Sequence, residues 1–182
     1  MAPLLVVVGG LPGTGKSTLA DQLAARLHAP VFAKDRIEAS LWRDGVKAEQ
    51  GSWTVAEHLL TTLAGEQLRH GQSAILDTVA RSSESRTAWR ETAREFGADF
   101  RVIECVCSDP ATHRSRIEGR VRGISGWYEL TWADVEQSRS HYEAWPEDHL
   151  VVDALAPLAD NLALALSYTS LGYVGDRARE LR

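Results

Sequence analysis

The fold is decided by the stretch Gly10-Leu11-Pro12-Gly13-Thr14-Gly15-Lys16-Ser17-Thr18. It follows an apolar run at residues 4–8 and leads into a helical pattern, which is the context that a phosphate-binding loop requires. Its glycines let the backbone curl so that several N–H groups and the positive end of the next helix face a nucleotide phosphate. Lys16 can then neutralise the β- and γ-phosphate oxygens, and the Ser17 hydroxyl can ligate Mg²⁺. All nine residues are therefore predicted to bind a nucleotide.

The composition predicts one globular domain that spans residues 1–182. Apolar residues make up 44% of the chain and charged residues 25%, which is ordinary for a soluble protein. The formal net charge of −5 gives no basic field of the kind that attracts nucleic acid. The N-terminal apolar run is too short for a membrane span and lacks the features of a signal peptide. Cys105 and Cys107 form no disulfide framework and favour packing over metal binding. These features predict a cytoplasmic protein.

Short apolar runs alternate with helical patterns along the chain. Strands are predicted at residues 4–8, 31–33, 74–77, 100–106 and 150–153. Helices are predicted between them, including one opened by a capping box at Thr54 and Glu57, one from Thr131 to about residue 142, and a last one at 157–166. The tail from residue 170 is polar and is predicted to fray. The alternation predicts an α/β fold with a doubly wound, five-stranded parallel sheet.

Three predicted strands end in an aspartate, and ligands of such sheets bind at the carboxyl ends of the strands. Asp35 can accept the proton of an acceptor hydroxyl or hold that hydroxyl in line, or it can cap the helix that follows. Asp77 can hold a water of the magnesium ion or contact the substrate. Either acid could be the base. Asp153 is interpreted as structural or as a neighbour of the base and ribose.

An arginine-rich helix end precedes a glycine-bounded stretch at residues 123–126 and predicts a mobile lid at about residues 113–132. Arg116 and Arg120 are four residues apart and share one helix face, and Arg122 begins the stretch that follows. Guanidinium groups that close over a triphosphate can act as arginine fingers, so Arg116 and Arg120 are predicted catalytic residues. The alternative is a solvated basic face.

Other long side chains are candidates for binding the acceptor molecule. Arg36 and Arg81, with Arg86, could bind an anionic or polar group. Four tryptophans are expected in irregular regions that wall the acceptor pocket, whereas Trp89 is expected in the core. These four are Trp42, Trp53, Trp127 and Trp132. No histidine pair has the spacing of metal ligands, so no zinc site is predicted.

Several of these landmarks resemble those of small P-loop kinases of the AAA-33 or zeta-toxin-like group, which are related to gluconate kinase, chloramphenicol phosphotransferase and the kinase domain of polynucleotide kinases. The resemblance covers roughly residues 4–166. Its landmarks are residues 10–18, Lys34-Asp35-Arg36, Ile75-Leu76-Asp77-Thr78 with Arg86 beyond it, Cys107-Ser108-Asp109-Pro110, and the lid at 116–122.

The resemblance implies a P-loop NTPase fold, a three-layer α/β/α sandwich with a small helical lid. It also implies ATP and Mg²⁺, an Asp35 that positions or deprotonates the acceptor hydroxyl, and lid arginines on the phosphates. One departure is that Arg36 directly follows Asp35 and Glu38 stands three residues after it, where polynucleotide kinases tend to have an arginine. This departure disfavours a nucleic-acid 5′ end as acceptor.

The residues and the resemblance together predict a kinase that transfers the γ-phosphoryl group of ATP to a hydroxyl of a small molecule, such as a sugar, nucleoside or antibiotic. The alternatives are a polynucleotide 5′-hydroxyl kinase and a nucleotide-binding switch or regulatory ATPase without a small acceptor. The chain has no guanine-reading motif in the right region, which favours ATP over GTP. No membrane partner is expected. The acceptor and the oligomeric state are left open.

Overall fold

A computed structural model describes residues 2–146 and 148–170 of the chain. Its strands are β1 (Leu4–Gly9), β2 (Val31–Ala33), β3 (Ala74–Asp77), β4 (Asp99–Val106) and β5 (Leu150–Asp153). Its α-helices are α1 (Lys16–Leu27), α2 (Lys34–Arg43), α3 (Ser52–Arg69), α4 (Ser83–Glu95), α5 (Pro110–Glu118), α6 (Trp132–Ser140) and α7 (Leu158–Ser170). A 3-10 turn occupies Ala48–Gln50. The predicted fraying of the tail after residue 170 lies outside the described residues.

The five strands form one parallel sheet in the order β2-β3-β1-β4-β5. β1 lies at its centre, where Val7 pairs with Leu76 of β3 on one side and with Val102 of β4 on the other. Strands therefore lie on both sides of β1, with β2 and β3 on one side and β4 and β5 on the other, as in a doubly wound sheet. This confirms the predicted α/β fold with five parallel strands.

The apolar run of β1 is buried on both faces because helices cover each side of the sheet. Leu5 and Val7 pack in a cluster with α3 and α4, including the fully buried Trp89. Val6 and Val8 pack in a second cluster with α1 and α7. The result is three layers, with the carboxyl ends of the strands open at one edge.

Some element boundaries differ from the sequence predictions. The capping box predicted at Thr54 is wrong, because α3 already begins at Ser52, after Gly51 in a left-handed conformation. Glu57 does not reach back to Thr54, because it is buried and hydrogen-bonds to Ser85 of α4 instead. The last helix runs on to Ser170, past the predicted end at residue 166.

Three tryptophans expected in irregular regions lie on helices instead: Trp42 on α2, Trp53 on α3 and Trp132 on α6. Only Trp127 of the four lies in irregular chain. Among the described residues, none of the helices combines the length and the apolar character needed to cross a membrane.

Gly10 is the tightest position of the chain between β1 and α1. Its φ is +125°, and a Cβ there would lie 2.1 Å from the carbonyl oxygen of Cys105 in β4. Gly45 provides a matched comparison, since its φ is also positive (+89°) but a Cβ there would have no atom within 4 Å. Gly10 therefore needs its missing side chain for space as well as for conformation.

We expect Gly10→Ala to lower the free energy of unfolding by at least twice as much as Gly45→Ala. The control introduces only the left-handed strain of about 1–2 kcal/mol, whereas the Gly10 variant must also push β4 away from the loop. Urea unfolding of both variants measures the difference. Equal losses would show that the contact with Cys105 is not a constraint.

Candidate active site

The phosphate loop joins β1 to α1 at the open edge of the sheet. Gly15 precedes α1 with φ +82°, and no side chain caps the N–H groups of the first turn of that helix. These N–H groups and the helix dipole are therefore available to an anion. The nine residues predicted to bind the nucleotide thus lie in the strand–loop–helix arrangement that their pattern predicts.

Helix α5 supports this loop from the side of β4. His113 Nε2 donates a hydrogen bond to the carbonyl of Pro12 at 2.7 Å, since a carbonyl can only accept. A Cβ on Gly13 would lie 2.7 Å from Ile117 Cδ1, so helix and loop touch without room for a side chain. Both His113 and Ile117 are buried. The sequence analysis missed His113, whose only signal is its i, i+4 spacing from Ile117.

The side chain of Lys16 is folded back onto its own loop. Its Nζ donates to the carbonyl of Leu11 at 2.9 Å, and the Thr14 hydroxyl donates to the same oxygen at 2.8 Å. Burial lowers the pKa of Lys16, while Asp77 and Asp35 oppose that shift. A phosphate oxygen would be a better partner for this buried ammonium than one neutral carbonyl.

Asp77 ends β3 directly below the loop and is only 7% exposed. Burial raises its pKa, and the positive charge of Lys16 and a hydrogen bond from Ser17 oppose the shift. Ser17 and Asp77 both line the smaller cavity, so a hydroxyl and a carboxylate are available beside the phosphate loop. Hard oxygen donors of this kind suit Mg²⁺.

Two cavities meet at the loop. The larger, of about 550 Å³, runs from the loop past Arg116 to the start of α7, and the smaller, of about 90 Å³, opens towards α2. Lys16, Ser17 and Arg120 line both cavities. A group bound at this junction would be reached from both sides.

Asp35 lies in the first turn of α2 and lines only the smaller cavity. It does not cap the helix, because Ala33 holds the N-cap position and no side chain accepts a hydrogen bond there. The alternative role of Asp35 as a helix cap is therefore wrong. Its Oδ2 instead accepts a hydrogen bond from Arg122 Nη1 at 2.5 Å.

The predicted arginines separate into distinct places. Arg116 lines the larger cavity and donates to the carbonyl of Ala154 at 3.0 Å, whereas Arg36 lines the smaller one. Arg81 lines neither cavity; its guanidinium lies 4.3 Å from the ring centroid of Trp53. The structure thus brings Arg36, Arg116 and Arg120 to the loop and leaves Arg81 outside.

Arg86 has a structural role that the sequence analysis did not foresee. It is 2% exposed, and it donates to the carbonyls of Ala80, Glu143 and Ala144. Its guanidinium also stacks 3.8 Å from the ring centroid of Trp145. With all three of its nitrogens engaged, Arg86 ties the chain after α6 to the chain before α4 and is not free to read a substrate.

Two further residues of the sequence analysis are explained by local contacts. Asp153 accepts hydrogen bonds from the N–H groups of Ser108 and Leu155, which fits the structural role considered for it. Cys105 lines the larger cavity as a buried free thiol. In the described part of the chain, no three His, Cys, Asp or Glu side chains form a group that could hold a metal ion.

The sequence profile of the AAA-33 family, described as an AAA domain, matches residues 5–145. Among curated proteins, none matches the chain.

Solved structures share the fold. A candidate kinase from Chloroflexus aurantiacus J-10-fl is 23% identical with a TM-score of 0.74, over 92% of this chain and 99% of that one. Kti12 from Chaetomium thermophilum in complex with ADP-AlF3 is 18% identical with a TM-score of 0.71, over 92% of this chain and 100% of that one. A sugar kinase from Janibacter sp. HTCC2649 is 16% identical with a TM-score of 0.70, over 93% of this chain and 96% of that one. At these identities the likeness shows a P-loop kinase fold.

Cys105 is expected to resist alkylation at pH 8, because burial raises the pKa of its thiol to about 12 and only the thiolate reacts. Cys107, half-buried beyond the end of β4, serves as the internal comparison. We expect iodoacetamide to modify Cys107 at least about tenfold faster, as measured by peptide mass spectrometry. Equal labelling of the native protein would contradict the buried position of Cys105.

Proposed function

Because this chain belongs to the AAA-33 family, we propose that it is an ATP- and Mg²⁺-dependent kinase that transfers the γ-phosphoryl group to a hydroxyl of a small molecule. One observation carries the proposal: two cavities share Lys16, Ser17 and Arg120, and Asp35 faces only the smaller one. A phosphate donor in the larger cavity and an acceptor in the smaller one would meet at that shared wall.

The larger cavity suits the nucleotide. The phosphate loop closes one end, and Ala154, Ala156 and Leu158 offer apolar surface for a base at the other. No carboxylate of the described residues lines this cavity. Guanine presents two neighbouring N–H donor groups that a carboxylate would bind as a pair, whereas this end of the cavity offers the amide of Asn161, whose Nδ2 donates to the carbonyl of Asp153. This lining favours adenine.

The Ser17 hydroxyl and the Asp77 carboxylate would hold Mg²⁺, directly or through a water molecule. Bound there, the ion would withdraw charge from the β- and γ-phosphate oxygens. Asp77 is buried and lines the smaller cavity together with Ser17 and Lys16. This placement favours Asp77 as a metal-side residue and leaves Asp35 as the base.

Asp35 would hold the acceptor hydroxyl in line and take its proton as the hydroxyl oxygen attacks the γ-phosphorus. The bond to the β,γ-bridging oxygen breaks, and ADP leaves with the electron pair. Lys16 and Arg120, which line both cavities, would neutralise the charge on the transferring oxygens. Arg116, in the larger cavity only, would assist on the nucleotide side.

The residues that line the smaller cavity favour a polar or anionic acceptor. Arg36 lines it together with Asp35, so an acceptor with a carboxylate or phosphate near its hydroxyl would be favoured. Arg81 would contact only a part of the acceptor that extends beyond the cavity. The sugar kinase from Janibacter, as a structural relative, supports a small-molecule acceptor over a nucleic-acid end.

Lys16→Ala and Asp35→Asn test the two halves of the site. We expect Lys16→Ala to abolish ATP binding, because the phosphates lose their buried cation. We expect Asp35→Asn to slow transfer by about 10²–10⁴-fold, the range for a general base, while ATP affinity stays within about threefold. ADP release is measured with a panel of sugars, hydroxy acids, nucleosides, aminoglycosides and a 5′-hydroxyl oligonucleotide.

Asp44→Asn is the matched control for Asp35→Asn, since Asp44 lies exposed at the other end of α2. It should leave turnover unchanged. Full turnover in Asp35→Asn would sink the assignment of the acceptor side. Phosphorylation of the oligonucleotide alone would favour a polynucleotide kinase, and slow hydrolysis with no acceptor at all would favour a regulatory ATPase.

ATP is expected to bind at least about tenfold more tightly than GTP. One or two guanine N–H donors would lose their hydrogen bonds to water on binding without gaining a partner in the cavity, and each would cost about 1–3 kcal/mol. Isothermal titration calorimetry with non-hydrolysable analogues of both nucleotides measures the ratio. Equal affinities would mean that the base lies outside the larger cavity.

A further inference from the structure

The guanidinium of Arg122 pairs with one oxygen of the carboxylate proposed as the base. Its Nη1 lies 2.5 Å from Asp35 Oδ2, and its Nη2 donates to the carbonyl of Tyr128 at 3.2 Å. The side chain of Arg122 is only 5% exposed, whereas that of Asp35 is 40% exposed. Asp35 therefore faces the cavity, but its carboxylate is already paired with the buried guanidinium of Arg122.

Residues 122–129, here called the gate segment, lie docked on α2. Arg43 Nη1 of α2 donates to the carbonyl of Ser125 at 3.1 Å. The rings of Trp127 and Trp42 pack edge to face with centroids 5.0 Å apart. Within the segment, the N–H of Arg122 donates to Glu129 Oε1 at 3.0 Å. The pair with Asp35 is thus one contact of a whole docked surface.

This docked arrangement leaves two donors unsatisfied. Arg122 Nε and Trp127 Nε1 are the buried side-chain nitrogens or oxygens of the described residues that lack a hydrogen-bond partner. Both belong to the gate segment. Arg122 Nε has only a long contact, 3.9 Å, to Glu129 Oε2. Buried donors without hydrogen bonds cost free energy, so oxygen atoms of an acceptor that reached these donors would gain hydrogen bonds.

The space left beside Asp35 is too small for the proposed acceptors. The cavity measures about 90 Å³, and Arg122 and Ile124 of the gate segment form part of its wall. Pockets for small molecules usually measure about 300–1,000 Å³. An acceptor of ordinary size would therefore displace the gate segment when it binds in this cavity.

We propose that the gate segment makes Asp35 dependent on the acceptor: Arg122 pairs with Asp35 until an oxygen-rich acceptor displaces it, so that bound ATP is not hydrolysed by water. The inference rests on the proposed function, in which Asp35 is the base. An unmasked Asp35 could take a proton from water as the water oxygen attacks the γ-phosphorus, which would release ADP and inorganic phosphate. Arg122 is a positioning residue here, because it acts through Asp35.

The test is ATP hydrolysis by the full chain with Mg²⁺ and no acceptor. We expect Arg122→Gln to raise ADP release about tenfold while ATP affinity is retained. Arg114→Gln is the matched control, since Arg114 forms an exposed ion pair with Glu118 on α5 and should leave the rate unchanged. Arg122→Lys should restore a low rate, because it keeps the cation. Adding Asp35→Asn to Arg122→Gln should also return the rate to the basal level.

Trp127→Ala provides an independent variant that releases the docked segment and keeps both partners of the ion pair. It should raise the same hydrolysis rate, and thermal unfolding shows whether either variant is folded. An unchanged or slower acceptor-free rate in folded Arg122→Gln with intact ATP affinity overturns the gate, and so does a faster rate that survives the added Asp35→Asn. Failure of the proposed function looks different: no acceptor is phosphorylated by the unmodified protein, whatever the Arg122 variant does.

Discussion

The close fit of the phosphate loop between β4 and α5 is the constraint on which the rest of the site depends. Gly10 lies against the carbonyl of Cys105, and Pro12 accepts the hydrogen bond of His113. These contacts fix the start of α1, and they also fix α5. Arg116 lies on α5 and Arg120 lies two residues beyond its end. The cations of the site are therefore positioned by packing that involves neither of them.

The strand order supplies the other half of the site. β3 lies between β1 and β2, so the chain reaches β2 before it returns to the centre. Asp77 and Asp35 therefore come from neighbouring strand ends, one buried beside the loop and one facing the smaller cavity. In the proposed function these different environments would give two chemically similar residues different roles, one on the metal side and one as the base.

Local patterns in the sequence are enough to predict the sheet, the loop and the acids at the strand ends. The apolar run of β1 and the glycine pattern after it act within a few residues, so they can be read directly. The pairs Arg122–Asp35 and His113–Pro12 join residues 87 and 101 positions apart, and no local pattern indicates them. Tertiary burial also overrode the capping-box pattern at Thr54, because the Glu57 carboxylate accepts a hydrogen bond from Ser85 and does not cap the N–H of Thr54.

His113 and Arg86 anchor the two ends of residues 114–142, here called the excursion. His113 holds α5 to the loop, and Arg86 holds the carbonyls of Glu143 and Ala144 beside β3. Residues 114–142 between these two anchors, all of them described by the structure, contribute no strand to the sheet. Arg116, Ile117 and Arg120, which touch the phosphate loop or line the larger cavity, lie at the start of the excursion, so insertions, deletions or exchanges beyond Arg120 would leave the nucleotide side in register. Changes of acceptor preference during evolution can therefore be confined to this excursion without re-forming the core.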